Sequence, residues 1–235
     1  MPTALAKQAP CPPRRARFVR GLKLGLPILL GYAPVGAAFG ILADGLGFTA
    51  FQAALCSATA LAGAGQFIAL ALAALGTPVL GILVATAIVN LRYVLFGAVL
   101  SPYLSGMSLH AQGLLAFTLT DETFAVNIQD QRQGSADALS MAGVGTIAWI
   151  GWVAGTLVGA LAAGLIGDPE RWGVQFAMAA MFSALLVAQV EDKRHVIVAV
   201  ITLALTLAFM ALLPGQWYVV LAPVAAAAIA AVVYR

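Results

Sequence analysis

The sequence predicts an all-α polytopic membrane protein of about eight transmembrane helices, some kinked or broken, with both termini cytoplasmic. Three observations carry this. Apolar residues make up 62% of the 235-residue chain and charged ones 9%, with a mean hydropathy of +0.98; a soluble domain carries about a quarter charged residues to keep its surface solvated. Uncharged runs of about 18 residues or more recur along the whole length, enough for a helix to cross a bilayer. The basic residues also collect where alternate loops would share one side.

Residues 1–20 read as a basic disordered cytoplasmic leader, with Pro10, Pro12 and Pro13 beside a cluster that includes Arg14, Arg15, Arg17 and Arg20. Such a tail serves topology. Residues 21–235 read as a single transmembrane domain. Span one covers about 21–43; Pro27 and Pro34 each remove a backbone donor, so a kink or break near Tyr32 to Gly36 is expected. Asp44 to Thr49 makes the first turn.

Span two, about 50–75, contains Ala62-Gly63-Ala64-Gly65-Gln66-Phe67. Four small residues followed by an amide weaken the helix locally and admit close approach, either by another helix or by a bound molecule. Span three, about 79–100, holds Asn90-Leu91-Arg92-Tyr93 and stops at Ser101-Pro102. Span four, about 109–128, carries Asp121 and Glu122 after Thr118 and Thr120. Span five, about 138–166, repeats glycine every fourth residue at Gly151, Gly155 and Gly159, a contact face for another helix inside the protein or in a partner. After a turn at Gly167-Asp168-Pro169-Glu170, spans six (172–190), seven (196–213) and eight (217–233) complete the chain. Gln66-Phe67 in span two faintly echoes Gln175-Phe176 in span six.

Charge arbitrates the count. With eight spans and the N-terminus inside, ten of the twelve basic residues fall inside and only Arg171 outside. If Asp121 and Glu122 kept span four from crossing, the division becomes seven inside against four outside. Positive-inside bias favours eight, with seven as the alternative.

A charge near the bilayer centre costs about 2.5 to 3.5 kcal/mol even on an insertion scale, so Arg92 needs a counter-charge or a task. In the eight-span arrangement Arg92 and Asp121 lie roughly 12 and 18 Å below the outer edge of neighbouring spans, at about 1.5 Å per residue. Pairing with Asp121 or Glu122 is therefore expected, and the second acid is left to face water or to titrate. The pair either fixes helix register or serves transport.

Enzymatic classes find little support. No G-x-x-x-x-G-K-[ST] stretch is present for nucleotide phosphates. His110 and His195 stand apart from any Cys or carboxylate cluster at metal spacing, and no serine carries a nucleophile motif. Cys11 and Cys56 suggest no disulfide framework. No cofactor is implied, and the basic tail is an anchor signal, not a nucleic-acid surface.

Four ordered motifs carry a resemblance. Gly31-Tyr32-x-Pro34-x-Gly36-x-x-Phe39-Gly40, Ala62-Gly63-Ala64-x-Gln66-Phe67, Asn90-Leu91-Arg92-Tyr93 followed by Ser101-Pro102-Tyr103-Leu104, and Thr120-Asp121-Glu122-x-Phe124 resemble the AzlC-type branched-chain amino-acid transport proteins over roughly residues 20 to 205. The resemblance implies export of a branched-chain amino acid such as valine across the bacterial inner membrane, together with a small AzlD-like membrane subunit. The chain departs from the family pattern at Gln175, where an acidic residue usually precedes the Phe. The matching positions imply that Gly63, Ala64, Gly65 and Gln66 form a broken-helix segment beside the substrate. Asn90 and Arg92 would meet its carboxylate, and Asp121 or Glu122 its ammonium or a coupling proton. A channel or regulatory subunit, whose partner supplies the pathway, is the alternative.

Overall fold

The computed structural model describes residues 12–134, 137–166, 192–212 and 218–233, together with 171, 173, 176, 179, 180, 183, 186, 187 and 190. Gln175, the 167–170 turn and most of the sixth expected span lie outside the described residues. Among the described residues the regular structure is helical, without a strand.

The helices are α1 (Arg14–Gly45), α2 (Ala50–Thr59), α3 (Gly63–Ala74), α4 (Val79–Asn90), α5 (Arg92–Leu100), α6 (Leu109–Phe117), α7 (Asp121–Arg132), α8 (Ala138–Ile166), α9 (Lys193–Leu212) and α10 (Tyr218–Val233), with a 3-10 turn at Ser101–Leu104. They fall into two compact units, Met1–Ala177 and Met178–Arg235. Among the described residues four stretches, Arg14–Gly45, Val79–Leu104, Ala138–Leu165 and Lys193–Leu212, are long and apolar enough to cross a membrane. In the first unit, expected spans two and four are each built from two half-helices, α2 with α3 and α6 with α7.

Two expectations change. The first helix begins at Arg14, inside the stretch read as disordered leader, because Arg17 and Arg20 find partners: Arg17 Nη1 lies 2.8 Å from Asp137, and Arg20 pairs with Asp130. At about 1.5 Å per residue its 32 residues exceed the roughly 30 Å hydrocarbon core, so the arginine turn extends beyond it. α1 also runs through Pro27 and Pro34 without a break. The interruptions lie at Ala60–Ala62, at Leu91 and at Thr118–Thr120 instead.

The first unit is organised on α1 and α8. A Cβ on Gly40 would stand 2.1 Å from the Thr156 carbonyl oxygen, and one on Gly159 would stand 2.0 Å from that of Ala37. Gly21 meets Ser140, Gly151 meets Leu29 and Gly155 meets Ala33 in the same manner. Backbones this close gain dispersion along their whole contact where apolar burial drives little association in lipid. The glycine face of span five thus packs inside the protein. Residue numbers rise together along both helices, so α1 and α8 run parallel. If both span the membrane, the chain between them crosses an odd number of times, a condition met by α4–α5 alone or by α2–α3, α4–α5 and α6–α7 together.

In the second unit α9 packs on α10. Asp192 starts α9 by accepting from the backbone N–H of Arg194 at 2.8 Å and of His195 at 3.1 Å. The His195 N–H, more than any other neighbour, holds the Asp192 carboxyl below the usual carboxylate range.

Candidate functional site

The polar centre of the first unit is built where helices stop. Ala60 (φ −134°, ψ 81°) and Ala62 (φ −142°, ψ 71°) leave the helical region, and the Ala62 N–H bonds the Ala60 carbonyl at 2.8 Å. α3 starts at Gly63 without a side-chain cap, and its first ladder bond runs from Gln66 N–H to the Ala62 carbonyl at 2.9 Å. The N–H groups of Gly63, Ala64 and Gly65 therefore head the helix with no helical acceptor, where the positive end of the macrodipole lies.

Small residues at this break follow from what faces them. A Cβ on Gly63 would stand 2.8 Å from the Trp152 ring, and one on Gly65 would stand 3.0 Å from the Asn90 amide nitrogen. Gln66 is fixed from both ends: Trp152 Nε1 donates to its Oε1 at 2.7 Å, and its Nε2 donates to Ser57 Oγ at 3.2 Å. Ser57 lies 2.8 Å from Thr156 Oγ1. The expected substrate contact at Gln66 is thus engaged with α2 and α8, and its effect is to hold the Gly63–Gly65 turn in place.

Asn90 ends α4 and Arg92 begins α5. Arg92 Nη2 stands 3.0 Å from Asp121 Oδ2, and the guanidinium carbon stands 5.3 Å from the Tyr93 ring centroid. The Asn90 Oδ1 and Arg92 Nε atoms are buried without a hydrogen-bond partner. Such atoms cost free energy unless water or a ligand meets them.

α7 starts with a capping box: Thr120 Oγ1 accepts from Thr123 N–H at 3.3 Å, and Thr123 Oγ1 accepts from Thr120 N–H at 2.8 Å. The box sets Asp121 and Glu122 in the first turn, where the dipole favours anions. The expectation that one acid lacks a partner is corrected: the Tyr32 hydroxyl donates to the Glu122 carboxylate and lies 2.7 Å from Thr120 Oγ1. The Tyr32 ring meets Trp152 edge-on at 5.3 Å.

A circuit results, from Tyr32 to Trp152, Gln66, Gly65, Asn90, Arg92, Asp121, Glu122 and back to Tyr32. It brings together the sequence-expected residues and adds Tyr32, Thr120 and Trp152, which sequence reasoning assigned no role. Tyr32 stood within a quoted motif, and Thr120-x-x-Thr123 has the spacing of a capping box, so two signals were present. The circuit offers a guanidinium, two carboxylates, uncapped N–H groups and a free amide oxygen, a set that can meet both charges of a zwitterion. Among the described residues no group of His, Cys, Asp and Glu could hold a metal ion.

The sequence model described as AzlC protein matches residues 27–166, which contain the whole circuit. The chain belongs to the AzlC family. Among AzlC relatives, the inner membrane protein YgaZ of Escherichia coli is 33% identical, the match covering 79% of this chain and 78% of that one. An uncharacterized membrane protein of Archaeoglobus fulgidus is 33% identical over 83% of this chain and 86% of its own. The branched-chain amino acid transport protein AzlC of Bacillus subtilis is 26% identical over 87% of this chain and 80% of its own. No solved structure matches the chain.

Proposed function

We propose that this AzlC-family membrane protein is a secondary transporter subunit that exports branched-chain amino acids, valine among them, across the bacterial inner membrane with a small AzlD-like partner. Family membership and the named Bacillus relative support membrane transport. The observation that carries the reading is the Arg92–Asp121 pair beside Tyr32–Glu122, set where α5 and α7 begin, with Asn90 against Gly65 at the uncapped start of α3. Interrupted helices with free backbone groups at mid-membrane are a recurrent way to bind a small zwitterion. In this arrangement Arg92, the Asn90 amide N–H and the N–H groups of Gly63, Ala64 and Gly65 take the carboxylate. Asp121 or Glu122 takes the ammonium or the coupling proton. α4 buries none of its side chains, and its apolar surface suits lipid or the partner subunit.

Radiolabelled valine efflux from vesicles, with this chain alone and with its partner, tests the reading. Saturable efflux that stops when the proton gradient is dissipated is the expected result. Flux that fails to saturate at any valine concentration favours a channel or regulatory subunit instead.

A further inference from the structure

Away from the circuit, a second polar layer ties the far end of α7 to α1 and α8. Arg20 Nη1 donates to Asp130 Oδ2 at 2.9 Å and to Ser140 Oγ at 3.2 Å, and Ser140 Oγ donates to Asp130 Oδ2 at 3.4 Å. About one turn earlier on α1, Arg17 pairs with Asp137, which caps α8 by accepting from the N–H groups of Leu139 at 2.8 Å and Ser140 at 2.9 Å. The two ion pairs join different bodies. Arg17–Asp137 lies within the α1–α8 pair, whose backbones touch from Gly21 to Gly40 and are close-packed against sliding. Arg20–Asp130 joins that pair to α7, which meets it through side chains, Tyr32 with Glu122 at its start and Gln131 with Met141 near its end.

The break before α7 rests on α8: a Cβ on Gly145 would stand 2.1 Å from Thr118 Oγ1. Beyond that contact Phe124 and Ile128 pack on Leu100, Leu115, Leu119 and Met141. Apolar packing is non-directional, so a helix tilts on it without losing a specific bond. The Arg20–Asp130 bonds are directional, and they lie roughly 12 Å along α7 from Glu122.

We propose that Arg20 and Asp130 form a latch, and that α7 swings about the Thr118–Gly145 contact to part them and open the circuit toward the end of the first unit that carries Arg14–Arg20. Thr123 and Asn127, on α7 between the circuit and the latch, are buried in the latched state. Neither charge is stranded by the swing. The Arg20 side chain is already 39% exposed and keeps Ser140, while Asp130, 9% exposed when latched, moves toward water. A pair with one member open to solvent is weak enough to break and re-form within a transport cycle. Its role as a gate rests on the transport reading; the latch itself does not.

Maleimide labelling of the purified chain in detergent tests the latch. In a chain carrying Cys11→Ser and Cys56→Ala, a cysteine at Asn127→Cys reports opening behind the latch. One at Val144→Cys, at a position 1% exposed on α8 against Gly25, reports loss of the α1–α8 pair. Adding Asp130→Asn is expected to speed labelling at position 127 at least tenfold and to leave position 144 slow. Arg20→Gln is expected to do the same and stands in if Asp130→Asn does not fold. Arg17→Gln is expected to change position 127 less than twofold, because its partner Asp137 caps α8. Unchanged labelling at position 127 in the latch variants overturns the latch. Equal acceleration at 127 and 144, or an Arg17→Gln effect as large as that of Asp130→Asn, overturns it as well, since the pair would then only hold the fold together. In the valine efflux assay, Arg20→Cys and Asp130→Cys joined by a short, reducible bifunctional thiosulfonate are expected to cut flux at least tenfold relative to the same chain after reduction. Equal flux in the joined and reduced chains overturns the gate and leaves the latch standing. No valine flux in the unsubstituted chain overturns the transport reading and the gate with it, while the labelling still decides the latch.

Discussion

Arg92 and Tyr32 bind neighbouring carboxylates of one helical turn, yet their substitution has different consequences. The Arg92 and Asp121 side chains are 27% and 14% exposed, so removing the cation strands an acid with little solvent. Breaking a buried pair by removing one partner costs about 3 to 5 kcal/mol. Arg92→Ala is therefore expected to lower thermal stability in detergent and to abolish valine flux. Asp121→Asn keeps the shape and is expected to abolish flux with the protein still in the membrane. Flux surviving in both would remove the pair from the transport mechanism. Tyr32→Phe deletes one hydroxyl and leaves the ring against Trp152. A hydrogen bond to a charged group contributes about 1.5 to 3 kcal/mol, so the expected result is a folded protein with reduced valine flux. Unaltered flux would show that transport does not need the Tyr32–Glu122 bond.

Among the elements, the interrupted helices separate what was legible in the sequence from what was not. Arg92 and its acids were legible because both lie on adjacent spans, where residue counting fixes depth. Gly63-Ala64-Gly65 was legible because small residues mark close approach, although the sequence did not name Trp152 and Asn90 as the approaching groups. Tyr32 was legible only as a motif position: its contact with Glu122 joins positions 90 apart and depends on how α1 passes the start of α7. The helical turn at Arg14–Arg20 was missed because a basic, proline-flanked stretch looks disordered until Asp130 and Asp137 are placed beside it. Gly63→Val tests the reason for the break. Trp152 is 1% exposed and pinned by Gln66, so the new side chain must displace a ring that has nowhere to go. Overpacking of this kind costs about 1 to 3 kcal/mol. The expected result is a lower melting temperature and altered tryptophan fluorescence, whereas Gly31→Ala, with open space around it, is expected to change neither.

For the molecule as a whole, direction is the strongest constraint. The glycine contacts from Gly21 with Ser140 to Gly40 with Thr156 and Ala160 advance together, which makes α1 and α8 parallel through the bilayer. Two parallel helices of one chain need an odd number of crossings between them. Either α4–α5 alone or all three of α2–α3, α4–α5 and α6–α7 satisfy this, and the prediction is that the polar α6–α7 segment crosses despite Asp121, Glu122 and the break at Thr118–Thr120. Charge distribution in the sequence leads to the same arrangement independently, since a non-crossing segment moves Lys193 and Arg194 outside. Single cysteines at Ser105→Cys and Gln133→Cys, both at exposed positions, in a chain carrying Cys11→Ser and Cys56→Ala, test it directly. With the basic N-terminus inside, a membrane-impermeant maleimide is expected to label position 105 from the outside of spheroplasts. Position 133 is expected to react only in inverted vesicles. Labelling of both from one side would mean that α6–α7 turns back within the membrane.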